Sequence, residues 1–212
     1  MDLAPDAFRE RVASDFVTRL ERDNVHLRTG FVGTPYLCRV LSNIGANDLA
    51  YRLLLNEDYP SWLYAINLDA TTIWERWNSL NPDGSISSTG MNSFNHYAYG
   101  SIVEWMYRDM CGLNPASDDT VTGFRQATIA PKPDTSLQWA RARYRSSAGW
   151  YESGWRFDDV AEQLVYDITI PFNTSARVVL PDAQLDTLSL NCRPLSDGQQ
   201  VGDSVEFTLG AG

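Results

Sequence analysis

The sequence is poor in the residues that form metal sites and nucleic-acid surfaces. It has two histidines and three cysteines, and Cys38, Cys111 and Cys192 form no CxxC pair, so no zinc site of the Cys/His kind is expected. Lys132 is its only lysine, and 17 basic against 27 acidic residues give a formal net charge of -10. Binding to a phosphate backbone needs clustered Lys and Arg side chains. We therefore predict no metal, no cofactor and no nucleic-acid partner.

Long hydrophobic runs are also absent. No apolar stretch reaches the roughly 18 residues that a membrane helix needs, and the first 16 residues lack the apolar segment of a secretory leader. We therefore expect no membrane partner and, by default, a cytoplasmic location. The chain of 212 residues is nevertheless 43% hydrophobic and 12% aromatic, which is enough to bury one large core or two small ones.

The hydrophobic pattern changes character near residue 114. Upstream, the spacing of apolar side chains predicts helices, the first through Phe8, Val12, Phe16 and Leu20 and the others over residues 35–44, 47–56, 60–66, 73–77 and 97–111. Downstream, alternating segments predict short strands over residues 123–130, 137–144, 150–157, 162–170 and 176–180. We therefore predict a helical domain over residues 1–113 and an antiparallel β-sandwich over residues 114–212.

A carboxylate stands between two indoles in the stretch Thr71–Trp77. Glu75 directly follows Trp74 and precedes Trp77 by two positions, although a charge beside apolar surface costs free energy unless it is paired. Sites that hydrolyse sugars use this combination, because aromatic faces stack on the C–H faces of the ring and the carboxylate orients water or protonates the leaving oxygen. In the structural alternative, Glu75 pairs with an arginine and the indoles fill the core. This stretch alone leaves both interpretations open.

A second polar and aromatic stretch runs from Met91 to Tyr99 and includes His96 and Tyr97. Its amide, imidazole and phenol groups can hydrogen-bond several hydroxyls at once, as a sugar pocket requires. In the structural alternative, Asn95 caps a helix and His96 is a satisfied buried histidine.

Glycoside hydrolysis needs two carboxyl groups on opposite sides of the scissile bond. Glu75 is one candidate, and no second acid in the sequence has comparable surroundings. Glu104, in the predicted helix 97–111, is the next best and fits a structural role, and Glu57 with Asp58 fits a helix cap. The sequence also contains no GxSxG elbow, P-loop or dinucleotide-binding fingerprint.

Taken together, these stretches resemble the C-terminal portion of glycoside hydrolase family 78, the α-L-rhamnosidases. The order and spacing of the matching segments both fit, over about residues 28–182. The segments that carry the resemblance are residues 29–35, 59–62, 70–77, 93–97, 124–125, 129–131, 139–142 and 170–174.

The resemblance implies part of an (α/α)6 six-hairpin barrel followed by a C-terminal β-sandwich, and an inverting hydrolysis that releases L-rhamnose from glycosides. By the same resemblance, Glu75 would be the general base that activates water, and His96 would contact the rhamnose ring. Trp74, Trp77 and Tyr97 would line the pocket.

In this family the general acid lies in the first half of the barrel, which this sequence does not contain. The expected partner is therefore that N-terminal half, and the isolated chain is expected to be inactive and to self-associate through unpaired helix faces. The alternatives are a carbohydrate-binding module, a remnant without function, and a different (α/α)6 glycosidase such as a glucosidase or trehalase.

Overall fold

A computed structural model describes residues 5–88, 90–116 and 121–211. By the contacts between Cα atoms, the chain separates into two compact units, Met1–Val103 and Glu104–Gly212. The first unit is helical and the second consists mainly of β-strands, so the predicted order of a helical part followed by β-sheets is confirmed. The domain boundary at residue 114 stays a prediction.

The regular structure of the first unit is mainly helical. The helices are α1 Arg9–Arg22, α2 Thr34–Asn43, α3 Asn47–Leu55, α4 Trp62–Asn67 and α5 Ile102–Trp105, whose last two residues belong to the second unit. There are 3-10 turns at Asp6–Phe8, at Ala98–Ser101 and, in the second unit, at Leu185–Thr187. None of the helices in the described part of the chain is long and apolar enough to cross a membrane.

Helices α2 and α3 form a hairpin around a buried core. Pro35 lies in the first turn of α2, where its missing N–H costs nothing, and the hydroxyl of Thr34 donates to the Gly30 carbonyl at 2.9 Å. Leu41 of α2 and Leu53 of α3 are fully buried. The next helix, α4, begins where the Ser61 hydroxyl accepts the Tyr64 N–H at 3.0 Å, which is the expected N-cap bond.

The prediction of a helix over residues 73–77 is wrong. This stretch has no regular helix, because its backbone groups pair with a distant segment instead. The Ile73 carbonyl accepts the N–H of His96 at 2.8 Å, and the Glu75 N–H donates to the Ser93 carbonyl at 2.9 Å. A partner about twenty residues away therefore overrides the local helical spacing.

The helix predicted over residues 97–111 is present but not uniform. It begins as the 3-10 turn Ala98–Ser101, continues as α5 and ends as the π-helix Met106–Met110. Its apolar side chains Ile102, Trp105 and Met110 are buried. The apolar spacing thus located the element, whereas its changes of helical type leave no signature in that spacing.

Ten strands follow in the part of the second unit that the structure describes, residues 104–116 and 121–211. They are β1 Leu113–Pro115, β2 Gln126–Ile129, β3 Trp139–Ser146, β4 Gly149–Asp158, β5 Gln163–Thr169, β6 Ser175–Leu180, β7 Ser189–Leu190, β8 Arg193–Pro194, β9 Gln199–Val201 and β10 Ser204–Leu209. The five predicted strand segments correspond to β2 through β6. The other strands are two to six residues long.

The strands form two main sheets. One has the order β1-β2-β6-β10-β9 and the other the order β3-β4-β5, while β7 and β8 pair separately. Among the strands just given, every pair is antiparallel except β2 with β6, which is parallel. The core lies between the two main sheets, where Ile129, Tyr151 and Val178 are fully buried.

The backbone at Gly112 lies close to the backbone of Ala130 and Pro131. The φ of Gly112 is +71°, and a Cβ added there would stand 2.0 Å from the Pro131 nitrogen and 2.2 Å from the Ala130 carbonyl carbon. The same contact includes a hydrogen bond from the Ala130 N–H to the Gly112 carbonyl at 2.8 Å. Only glycine fits this position, for both its backbone angle and its lack of a side chain.

We predict that Gly112→Ala lowers the free energy of unfolding by about 3–5 kcal/mol, because a left-handed backbone and a forced displacement of Pro131 act together. Gly123→Ala is the matched control, since Gly123 also has positive φ, at +63°, but has no atom within 4 Å of the added Cβ. It should cost only about 1–2 kcal/mol. Urea unfolding of both variants measures the difference, and equal losses would contradict the close approach at Gly112.

Candidate active site

The two stretches singled out in the sequence lie side by side in the first unit. Backbone hydrogen bonds join residues 73–75 to residues 93–96, and the Arg76 Nε donates to the Met91 carbonyl at 3.0 Å. The Thr72 hydroxyl also donates to the carbonyl of Phe94. Glu75 and His96 therefore sit on two segments that are bonded to each other along their length.

The Glu75 carboxylate is held by a backbone donor. The Ser93 N–H donates to its Oε2 at 2.7 Å, and the side chain is half-buried. Among the described residues, Glu75 forms no ion pair, and the neighbouring Arg76 guanidinium turns to a backbone carbonyl instead. A bond from an amide fixes one carboxylate oxygen while the group stays available as an acceptor for a proton.

The side chain of Ser79 links these two segments by hydrogen bonds. It is fully buried, and its hydroxyl accepts the Arg76 N–H at 3.2 Å and donates to Asn92 Oδ1 at 2.6 Å. The Asn92 Nδ2 donates in return to the Ser79 carbonyl at 3.0 Å. One small polar side chain thus ties the residue after Glu75 to the residue before Ser93.

His96 lies in the wall of an open cavity of about 510 Å³. The cavity is lined by Phe31, Pro35, His96, Tyr97, Ala98, Gly100 and Ser101. The imidazole stacks on two rings, with centroid distances of 4.6 Å to Phe31 and 5.3 Å to Tyr97. Tyr97 itself is largely exposed, so it forms an outer face of the cavity.

The two indoles that flank Glu75 do not line this cavity. Trp74 is buried and meets Phe94 edge to face at 5.6 Å. Trp77 is half-buried, stacks on Tyr99 at 3.8 Å and donates from Nε1 to the Thr29 carbonyl at 3.1 Å. Their contact with a sugar stays a prediction, and their observed contacts are with other side chains of the first unit.

Tyr99 connects these aromatic groups. It stacks on Trp77 and meets Phe31 at a tilted 5.2 Å. Burial raises the pKa of the Tyr99 phenol above its usual value, so the side chain stays neutral at physiological pH. It therefore acts as an apolar support between the indole and the ring beside His96.

The remaining acidic candidates have other surroundings. Glu57 and Asp58 are exposed, and the Asp58 N–H donates to Asn56 Oδ1 at 2.9 Å. Glu104 forms an exposed ion pair with Arg108 at 3.2 Å. Among the described residues, no three His, Cys, Asp or Glu side chains cluster in a way that could hold a metal ion.

Several residues of the site were not identified as candidates from the sequence. Phe31, Pro35 and Ser101 line the cavity, and the Ser93 amide holds Glu75. Phe31 and Pro35 lie in the segment 29–35, which carried part of the family resemblance, so a signal for them was present. The hydrogen bond from the Ser93 N–H to Glu75 could not be predicted from the sequence, because almost every residue carries a backbone N–H and the residue type therefore gives no signal.

Comparison with known proteins gives a consistent result for both units. The family model of the bacterial α-L-rhamnosidase six-hairpin glycosidase domain matches residues 1–110, and that of the bacterial α-L-rhamnosidase C-terminal domain matches residues 112–191. An α-L-rhamnosidase from Streptomyces avermitilis is 43% identical over 181 residues, which is 85% of this chain and 17% of that protein. One from Formosa agariphila is 38% identical over 200 residues, which is 94% of this chain and 21% of that protein.

A solved structure agrees over the whole length. The crystal structure of the Streptomyces avermitilis α-L-rhamnosidase complexed with L-rhamnose has a TM-score of 0.87 and 38% sequence identity, covering 100% of this chain and 20% of that chain. The chain therefore spans about a fifth of the length of the relatives it matches.

We predict that Ser79→Ala lowers the free energy of unfolding by about 1–3 kcal/mol. The substitution removes a buried hydroxyl, and the Arg76 N–H and Asn92 Oδ1 lose the hydrogen bonds that they form with it. Ser147→Ala, in the exposed turn between β3 and β4, should change stability by no more than about 0.5 kcal/mol. Urea unfolding followed by tryptophan fluorescence measures both. If Ser79→Ala behaves like the control, Ser79 does not secure the segment that carries Glu75.

Proposed function

Because the chain belongs to the bacterial α-L-rhamnosidase family, we propose that it is the C-terminal part of an inverting α-L-rhamnosidase, which hydrolyses terminal α-L-rhamnose from glycosides. Glu75 is the general base of this reaction, and His96 binds the rhamnose ring. Residues 1–113 contribute one side of the catalytic barrel, and residues 114–212 form the closing β-sandwich.

The observation that carries this proposal is the joint anchoring of Glu75 and His96. Backbone bonds of 2.8 and 2.9 Å hold their two segments together, and the Ser93 amide holds the carboxylate at 2.7 Å. A general base has to keep a fixed distance from the bound sugar, so that a water fits between them. The residue that binds the sugar and the residue that activates the water are here parts of one bonded unit.

In the proposed reaction, Glu75 accepts a proton from water while the water oxygen attacks the anomeric carbon. The glycosidic bond breaks, and the leaving oxygen takes a proton from a general acid on the opposite side of the sugar. Inverting enzymes hold the two carboxyl groups about 6.5–9.5 Å apart to admit this water. The acid comes from the part of the enzyme that precedes the region matched by this chain.

His96 acts on the substrate rather than on the proton transfers. Its ring lies in the cavity wall, where it can hydrogen-bond a hydroxyl of the sugar. Tyr97 offers an exposed ring face to the same space. Trp77 supports the pocket from behind, since it stacks on Tyr99 and its Nε1 donates to the Thr29 carbonyl. Trp74 is buried against Phe94.

The rest of the barrel is the main partner of this chain. The first unit exposes large apolar side chains that neighbouring helices of a barrel would cover, including Val32, Tyr36, Ile66 and Phe8. Exposed apolar surface of this kind favours association, and the isolated chain is therefore expected to self-associate.

We predict that the isolated chain shows no turnover of an aryl α-L-rhamnoside above the buffer blank. A positioned general acid alone raises the rate by about 10²–10⁴-fold. The open cavity of the isolated chain also binds the transition state less strongly than a closed site would. The measurement is release of the aryl alcohol at high protein concentration. Turnover that disappears in Glu75→Gln would contradict this, and would show that an acid within this chain acts as the proton donor.

The activity itself is tested in a chimera, in which this chain replaces the matching region of the Streptomyces avermitilis α-L-rhamnosidase. The chimera should hydrolyse aryl α-L-rhamnosides, and Glu75→Gln should lower its kcat by about 10²–10⁴-fold, because the amide keeps the shape and removes the base. Glu57→Gln is the matched control at an exposed position and should leave kcat unchanged. If the Glu75→Gln chimera had the same kcat as the parent chimera, Glu75 would not be the general base.

Azide separates the role of Glu75 from that of His96. A small anion can replace the missing base as nucleophile, so azide should restore rate to Glu75→Gln. His96→Ala should lower kcat/KM without azide rescue, because the lost group is a hydrogen bond to the sugar and not a base. Rescue of both variants, or of neither, would contradict this division of roles.

A further inference from the structure

The environment of the His96 ring determines more than its position in the cavity. Phe31 stacks on one side of the ring, with centroids 4.6 Å apart and planes within 13° of parallel, and Tyr97 stacks at 5.3 Å and 7°. The imidazole can therefore leave its plane only at the cost of both contacts. A half-turn of the ring keeps the stacking, so a hydrogen bond has to fix which of its two nitrogens lies at which edge.

One of these nitrogens faces a backbone donor. The Ala98 N–H donates to His96 Nδ1 across 3.4 Å. A nitrogen that accepts a hydrogen bond carries no proton, so the neutral ring must hold its proton on Nε2. His96 thus offers a donor, and not an acceptor, from the ring edge remote from Ala98.

The other histidine of the chain has the opposite arrangement. His26 Nδ1 lies 2.9 Å from the Asn24 carbonyl and 3.2 Å from the Asp23 carbonyl. Carbonyl oxygens only accept, so Nδ1 of neutral His26 must carry the proton. The chain therefore contains two histidines of opposite expected tautomer.

The segment that carries Phe31 is itself held on both sides. The Thr29 carbonyl accepts Trp77 Nε1 at 3.1 Å, and the Gly30 carbonyl accepts the Thr34 hydroxyl at 2.9 Å. Phe31 also rests on Tyr99. The Phe31 ring is 41% exposed, but its backbone is bonded on both sides and its ring contacts both His96 and Tyr99.

We propose that Phe31 is a positioning residue, which with the Ala98 amide holds His96 as the Nε2–H tautomer and directs this donor at an acceptor oxygen of the bound sugar. This rests on the proposed function in that the cavity is taken to receive the sugar. At this position the site then selects a sugar whose oxygen, such as that of a hydroxyl, can accept a hydrogen bond from the Nε2–H group.

The tautomers are measured directly on the full chain, uniformly labelled with ¹⁵N, by two-bond ¹H–¹⁵N correlation spectra at alkaline pH, where histidine is neutral. His26→Gln assigns the two ring systems. The expected result is Nδ1–H for His26 and Nε2–H for His96. A His96 ring that is Nδ1–H, or that averages both forms, would overturn the proposal.

Substitutions of Phe31 test its share in this arrangement. Phe31→Ala should convert the His96 signals to an average of both tautomers, while Phe31→Tyr should retain the Nε2–H form because the stacking ring is kept. Phe172→Ala, at an exposed phenylalanine of the second unit, should change neither histidine. If Phe31→Ala does not fold, Phe31→Leu keeps the volume without the ring and should give the averaged signal. An unaltered Nε2–H spectrum of His96 in a folded Phe31→Ala or Phe31→Leu chain would show that Phe31 does not position His96.

The consequence for turnover is measured in the chimera. Phe31→Ala should lower kcat/KM by about 10–100-fold, since small displacements of a binding group have effects of this order, and Phe31→Tyr should restore most of it. If the proposed function fails, the chimera is inactive while the opposite tautomers are still observed. If this inference fails, the chimera depends on Glu75 while Phe31→Ala leaves both its rate and the His96 spectrum unchanged.

Discussion

The pairing of residues 73–75 with residues 93–96 is the constraint on which the site depends. Two backbone bonds, Ile73 with His96 and Glu75 with Ser93, join stretches that lie about twenty residues apart. They replace the helical turn that the local spacing favours, because satisfying these backbone groups across the loop also allows the Ser93 amide to hold the Glu75 carboxylate. A carboxylate and an imidazole thereby become parts of one hydrogen-bonded piece.

The aromatic side chains around this piece form a continuous support. Trp62 meets Trp77 edge to face at 5.4 Å, Trp77 stacks on Tyr99, and Tyr99 touches Phe31, which covers His96. Their polar atoms are not left without partners, since Trp62 Nε1 donates to the Tyr99 carbonyl and Trp77 Nε1 to that of Thr29. Tryptophan suits this role because it buries a large face and can still satisfy its one donor.

The parts of the fold that depend on local periodicity were predictable. Helices α1, α2 and α3 lie within about two residues of their predicted ranges, because the spacing of their apolar residues specifies them. Strands β2 through β6 follow from alternation of apolar and polar residues. The parallel pairing of β2 with β6 and the short strands β7 to β9 were not predictable, since they depend on which distant segments meet and carry too few residues for a pattern.

The sequence by itself determined the family of the protein and predicted which chemical groups the candidate site offers. Glu75, His96 and the motifs around them identify the α-L-rhamnosidase family, because residue types at these spacings are read directly from the chain. Only the tertiary structure decided how each group is used. It turned Trp74 and Trp77 toward other side chains of the first unit, brought Phe31 onto the imidazole, and set the Ala98 amide against Nδ1 of His96. These contacts join residues far apart in the chain, and their geometry depends on packing that no local pattern encodes.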